Sequence, residues 1–129
     1  MCGIAGIWGE TDEPLIREMI GRLAHRGPDA EGMLHLEQGT LGHRRLSIMD
    51  PAGGDQPIFN EQETLAILAN GEIYNFSSLR EDLAGRYRFR TGSDSEGVLH
   101  LYDQEGGRAA QMLDGMFAFA IADEQGVFL

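Results

Sequence analysis

Apolar positions along the chain change their period several times, and each change predicts an element. Residues 4–8, "IAGIW", are short, apolar and glycine-flanked, which predicts a buried strand. Leu15, Ile16, Met19, Ile20, Leu23 and Ala24 then recur at helical spacing. Asp12, Glu13 and Pro14 stand where that helix begins, and "HRGPD" (25–29) stops it, because Gly27 and Pro28 continue a helix poorly. Residues 33–36 and 40–45 flank "EQG" and predict a hairpin. "SIMDPAGGDQP" (47–57) is punctuated as a loop, and "TLAILAN" (64–70) reads as a buried strand. A helix is predicted over 77–84, with Leu79 and Leu83 one turn apart, and a short strand over 87–90. "SDSE" (93–96) has capping-box spacing ahead of Val98, Leu99, Leu101 and Tyr102, and Gly106 and Gly107 end that helix. "MFAFAIAD" (116–123) is a strand in which bulky residues alternate with alanine; a turn and "VFL" follow. One mixed α and β domain over 1–129 is expected. Its last strand is only entered, so the domain is expected to be incomplete, with exposed sheet edges that favour self-association as a homodimer.

Composition narrows the function classes. The net charge of −11 repels phosphate backbones and anionic lipid, so neither nucleic acid nor a membrane is expected as a partner. A small zwitterionic ligand stays open, because one buried arginine can dominate a pocket. A single cysteine forms no internal disulfide, which predicts a reducing, cytoplasmic setting. No metal is expected: His25, His35, His43 and His100 lack ligand spacing, and no phosphate-binding glycine loop is present.

Three constellations could carry chemistry. That single cysteine is Cys2, directly behind Met1. Removal of Met1 would give it a free α-amine beside its own thiol, so nucleophile and general base would be one residue. A terminal cysteine without a role is the competing reading. "NGEIYN" (70–75) could form an oxyanion hole, with the Asn70 amide and the Gly71 N–H as donors. In isolation a plain Asn-Gly hairpin turn is the favoured reading of this pair. "GHRRLSIMD" (42–50) and "TGSDSE" (91–96) offer an arginine for a carboxylate and an aspartate for an ammonium group. A surface arginine and a helix-capping aspartate are the plainer alternatives.

Taken in order, "MCGIAGI", "HRGPD", "HRRLSIMD", "NGEIYN", "TGSDSE" and "MFAFAI" resemble the N-terminal glutamine amidotransferase (class II) domain of glutamine-dependent asparagine synthetases. The resemblance runs over essentially the whole chain. It implies an α+β fold of the N-terminal-nucleophile type, a four-layer αββα sandwich of two mainly antiparallel sheets. By matching positions it implies Cys2 as nucleophile and Asn70 and Gly71 as oxyanion hole. It also implies Arg45, rather than its neighbour Arg44, as the binder of the glutamine α-carboxylate. Leu46, Ile48 and Met49 would line the pocket, and Glu72 and Asp94 would recognise the amino group. The expected partners are L-glutamine and a C-terminal synthetase domain that these 129 residues do not contain. No cofactor is implied for this domain; ATP and magnesium belong to the synthetase domain. Two alternatives remain at this stage: an amidotransferase with another ammonia acceptor, and a non-catalytic fragment that keeps the fold.

Overall fold

Alternation of side chains along the strands decides how this chain layers. The computed structural model describes residues 1–129. Strands β1 (Gly3–Trp8), β2 (Ala30–Leu36) and β3 (Gly39–Arg45) form one antiparallel sheet in the order β1-β3-β2. Strands β4 (Ile58–Phe59), β5 (Ala66–Ile73), β6 (Gly115–Ala122) and β7 (Val127–Phe128) form the second, in that order and also antiparallel.

The two sheets meet face to face. Leu34 and Leu41 of the first sheet pack against Ala66, Leu68, Ala120 and Ala122 of the second. The opposite face of the second sheet carries Ile67, Ala69, Ile73, Phe119 and Ile121, which pack on helices α2 (Phe76–Leu83) and α3 (Asp94–Glu105). This explains the sequence of β6: its alanines face the other sheet, where two backbones approach, and its bulky residues fill the space beneath the helices. Helix α1 (Glu13–Arg22) covers the outer face of the first sheet, with Ile16 and Ile20 fully buried against β3 beside Gly42. The layers therefore run α1, sheet, sheet, α2 with α3, which is the expected αββα sandwich.

Helix α1 starts as predicted, with the Asp12 carboxylate accepting from the Leu15 N–H and proline in its first turn. It ends at Arg22, before "HRGPD". Three expectations are corrected. The strand expected over 64–70 runs on to Ile73, so Asn70-Gly71 is not a turn; both residues pair with β6, opposite Ala118 and Phe117. Residues 87–90 form no strand, because the rings of Tyr87 and Phe89 close on His100 of α3 instead of joining a ladder. The capping box at Ser93 is only half formed. Ser93 caps Ser95, but the Glu96 carboxylate accepts from the N–H groups of Arg90 and Thr91 and from the Thr91 hydroxyl.

Leu68 sits with no exposure between the sheets. Leu68→Ala is expected to lower stability by about 2–5 kcal/mol, read as a shifted urea midpoint with an unchanged slope.

Candidate functional site

The same alternation aims the predicted residues at one place. On β3, Leu41 faces the second sheet, so His43 and Arg45 do too; on β1, Ile4 faces that way, and so does Cys2 just ahead of the strand. Extending the β1–β3 register by one residue sets Cys2 opposite Arg45. On β5, Ala66 and Leu68 face the first sheet, and Asn70 follows them. A cavity of about 150 Å³ lies where these side chains converge at one end of the sandwich. It is lined by all nine predicted residues: Cys2, Arg45, Leu46, Ile48, Met49, Asn70, Gly71, Glu72 and Asp94.

Cys2 is held on two sides. Its Sγ accepts from the Leu46 N–H at 3.3 Å, and its carbonyl accepts from Nε of Arg26 at 3.0 Å. Arg26 belongs to "HRGPD", which the sequence marked as a helix stop and as one of the resembling motifs, without a role for this residue. The neighbouring Gly27 lies against the Arg44 peptide, where a Cβ would collide with backbone, and its carbonyl accepts from Nε of Arg44 at 2.9 Å. Asp29 accepts from the Ser47 N–H at 2.7 Å. The motif thus braces the Cys2 end of the first sheet.

Arg45 is buried and organises the loop that follows it. Its Nη2 donates to the carbonyls of Met49 at 2.9 Å and Asp50 at 2.6 Å, and its Nη1 donates to Asp55 at 2.6 Å and to the Pro51 carbonyl at 3.4 Å. The loop is also tied to the "TGSDSE" segment, because Asp50 accepts from the Gly92 N–H at 2.8 Å. Residues 46–55 are therefore wrapped around one guanidinium, which places Leu46, Ile48 and Met49 on the cavity wall.

The wall opposite is the free edge of β5. Strand β4 covers that edge only at Ala66 and Ile67. Tyr74 donates to the Asp114 carbonyl across the β5–β6 register, so even-numbered N–H groups point to β6 and odd-numbered ones to the free edge. Ala69 N–H donates to Oε1 of Gln56 at 2.5 Å, and Ile73 N–H donates to Oδ2 of Asp94 at 2.8 Å. The Gly71 N–H lies between them on the same edge. Gly71 has φ +142°, and a Cβ there would strike the Met116 carbonyl, so only glycine fits. That φ turns the chain after the N–H and leaves the donor in place. The Asn70 side chain makes no internal hydrogen bond, and its Oδ1 is buried without a partner, as are the Nδ1 atoms of His43 and His100.

Acidic groups complete the site. Glu72 is exposed at the rim, while Asp94 is buried at the start of α3 with one oxygen committed to Ile73 and one free. Glu96, two residues along, is also buried. Burial raises its pKa, but hydrogen bonds from His100, the Thr91 hydroxyl and the Arg90 and Thr91 N–H groups outweigh that and bring it down to about 2. His43 is also buried; desolvation holds its imidazole below the usual range, and its Nε2 bonds the Ala69 carbonyl at 3.0 Å. No group of three or more His, Cys, Asp and Glu side chains converges to hold a metal.

A family model for a glutamine amidotransferase domain matches residues 1–129. The chain belongs to the glutamine amidotransferase family. It is 48% identical to asparagine synthetase [glutamine-hydrolyzing] 3 of Arabidopsis thaliana over 95% of this chain. It is 45% identical to the corresponding enzyme of Sandersonia aurantiaca over 97% of this chain. These alignments span 22% and 25% of the relatives' own lengths. Among solved structures, the amidotransferase domain aligns with glutamine phosphoribosylpyrophosphate amidotransferase from B. subtilis at TM-score 0.80 and 25% identity. It aligns with an allosteric regulatory enzyme of purine biosynthesis at TM-score 0.82 and 26% identity. These matches cover 96% of this chain and 36% of each of those chains. The sandwich is thus of the N-terminal-nucleophile type.

The sequence reasoning did not single out Arg26, Gln56 or Ser93 as site residues. "HRGPD" and the Gln-Pro pair at the end of the loop were visible, but nothing local said which backbone groups they would meet.

Glu96 yields a pH prediction. Its pKa is lower folded than unfolded, so the stability it contributes is present above the unfolded value near 4.5 and is lost as pH falls toward about 2. Glu96→Gln is expected to remove at most about 3 kcal/mol of acid sensitivity in that window, measured as the urea midpoint against pH for both proteins.

Proposed function

We propose that this domain hydrolyses the side-chain amide of L-glutamine to glutamate and ammonia through Cys2, once Met1 is removed. The observation that carries this reading is the shared cavity. A thiol at the chain terminus, a free strand N–H with an unpaired Asn side chain, a buried arginine and two carboxylates line one small space.

The zwitterionic substrate fits those charges. Its α-carboxylate takes Arg45, displacing the exposed Asp55 from the guanidinium, and its ammonium group takes the free oxygen of Asp94 with Glu72. The side-chain amide then reaches Cys2. The α-amine of Cys2 accepts the thiol proton and the sulfur attacks the amide carbon. Asn70 Nδ2 and the Gly71 N–H stabilise the oxyanion of the tetrahedral intermediate, the latter already held in place by the β5–β6 pairing. Collapse breaks the C–N bond, the ammonium of Cys2 returns its proton to the leaving nitrogen, and ammonia departs. Water, deprotonated by the same amine, attacks the thioester, and glutamate leaves with the thiol restored.

The names of the relatives support asparagine synthesis as the use of that ammonia, on an ATP- and magnesium-dependent synthetase domain in the full-length protein. The residues described are the glutaminase part of that scheme. A nucleophilic thiol suits a reducing cytoplasm. Homodimerisation through open sheet edges is a further proposal, supported by the stretch of β6 before Ile121 that β7 leaves unpaired.

Intact mass is expected to show Met1 removed, and glutamate release from glutamine is expected to vanish in Cys2→Ala. Processed, folded protein that neither turns over glutamine nor is labelled at Cys2 by a glutamine-like electrophile would overturn the reading.

A further inference from the structure

We propose that Gln56 is a positioning residue for the oxyanion donors. Its side-chain Oε1 stands in for a missing strand and holds the Asn70–Gly71 peptide at the place the transition state requires. This rests on the glutaminase reading.

The register carries the argument. Ile58 lies opposite Ile67 and Phe59 opposite Ala66, so extending β4 backwards sets Gln56 opposite Ala69 and Gly54 opposite Gly71. A continuing backbone strand would bind the Ala69 N–H and then the Gly71 N–H, closing the edge. The pairing stops at Ile58, directly after Pro57, and residues 54–56 leave the strand and border the cavity. Gln56 replaces the strand with a side chain at one N–H only. Asp94 does the same at Ile73. Between these two side-chain acceptors, the Gly71 N–H is left for a ligand. The substrate amide oxygen would thus occupy the position of a strand carbonyl.

The brace is two-sided. The Ala69 carbonyl is bound by His43, which sits on β3 within two residues of Arg45. That strand pairs with β1 through Arg44 and Gly3, and Leu46, directly after it, holds the Cys2 sulfur through its N–H. One residue, Ala69, therefore links the nucleophile sheet through its carbonyl and the glutamine loop through its N–H, immediately before Asn70. Without Gln56 the Ala69 N–H lacks an acceptor, and the strand end is free to shift relative to the thiol.

The test separates positioning from folding. Gln56→Met keeps length and volume but removes the acceptor. In the protein with Met1 removed, kcat for glutamine hydrolysis is expected to fall roughly tenfold to a hundredfold, with KM within about threefold, because the donors' hydrogen bonds strengthen most as charge develops on the oxyanion. Gln56→Glu keeps the acceptor and is expected to restore kcat to within about fivefold of wild type. Alkylation of Cys2 by iodoacetamide, which needs no oxyanion hole, is expected at the wild-type rate in both variants. The inference is overturned if Gln56→Met keeps wild-type kcat. It is also overturned if the Glu variant is as slow as the Met variant, or if kcat and alkylation fall together. Wild-type protein without glutaminase turnover overturns the parent reading as well; wild-type turnover with an unaffected Gln56→Met overturns this inference alone.

Discussion

A strand edge inside a protein has to find partners for its N–H groups or present them to something that binds there. The edge of β5 beyond Ile67 does both. Gln56 and Asp94 close it at Ala69 and Ile73, and the Gly71 N–H between them stays open. The rest of the site is arranged around that gap. The first sheet brings Cys2 across from it, and the loop wrapped on Arg45 forms its far wall. The start of α3 brings a carboxylate down onto it. Had β4 continued for four more residues, the ladder would be complete and the cavity filled.

Three side chains at this site have a structural partner and also border the cavity. Arg45 donates to the loop that lines the cavity and borders the cavity itself. Asp94 accepts from Ile73 with one oxygen and keeps the other. Gln56 accepts from Ala69 while lining the cavity wall. Such double duty couples the shape of the site to its charge, so a change of residue at any of these places alters geometry as well as recognition. Glu96 supports the arrangement, ionised and surrounded by donors, fixing the segment 90–91 from which α3 begins.

Much of the fold could be read along the chain because periodicity reports burial. The apolar stripe of α1, the alanine alternation of β6 and the turn glycines all match what the sandwich needs. The failures share one cause. Residues 87–90 have the composition of a strand, yet Tyr87 and Phe89 pack on His100, a partner remote in sequence. "SDSE" has the spacing of a capping box, yet Glu96 finds better donors in Arg90 and Thr91. Asn-Gly favours a hairpin locally, yet pairing with β6 carries the strand through it. In each case a tertiary contact outweighed a local preference of about 1 kcal/mol or less.

The sequence by itself determined the nine candidate residues, the reason a nucleophile would sit at the terminus, and the resemblance that assigned each position a role. A free α-amine exists only at the start of a chain, so that argument needed no coordinates. Only the tertiary structure decided that these residues share one cavity, because parity and register act between strands far apart in sequence. It also decided what Arg26 and Gln56 are for. Their partners are the Cys2 carbonyl and the Ala69 N–H, backbone groups that every residue possesses and that no side-chain pattern can mark.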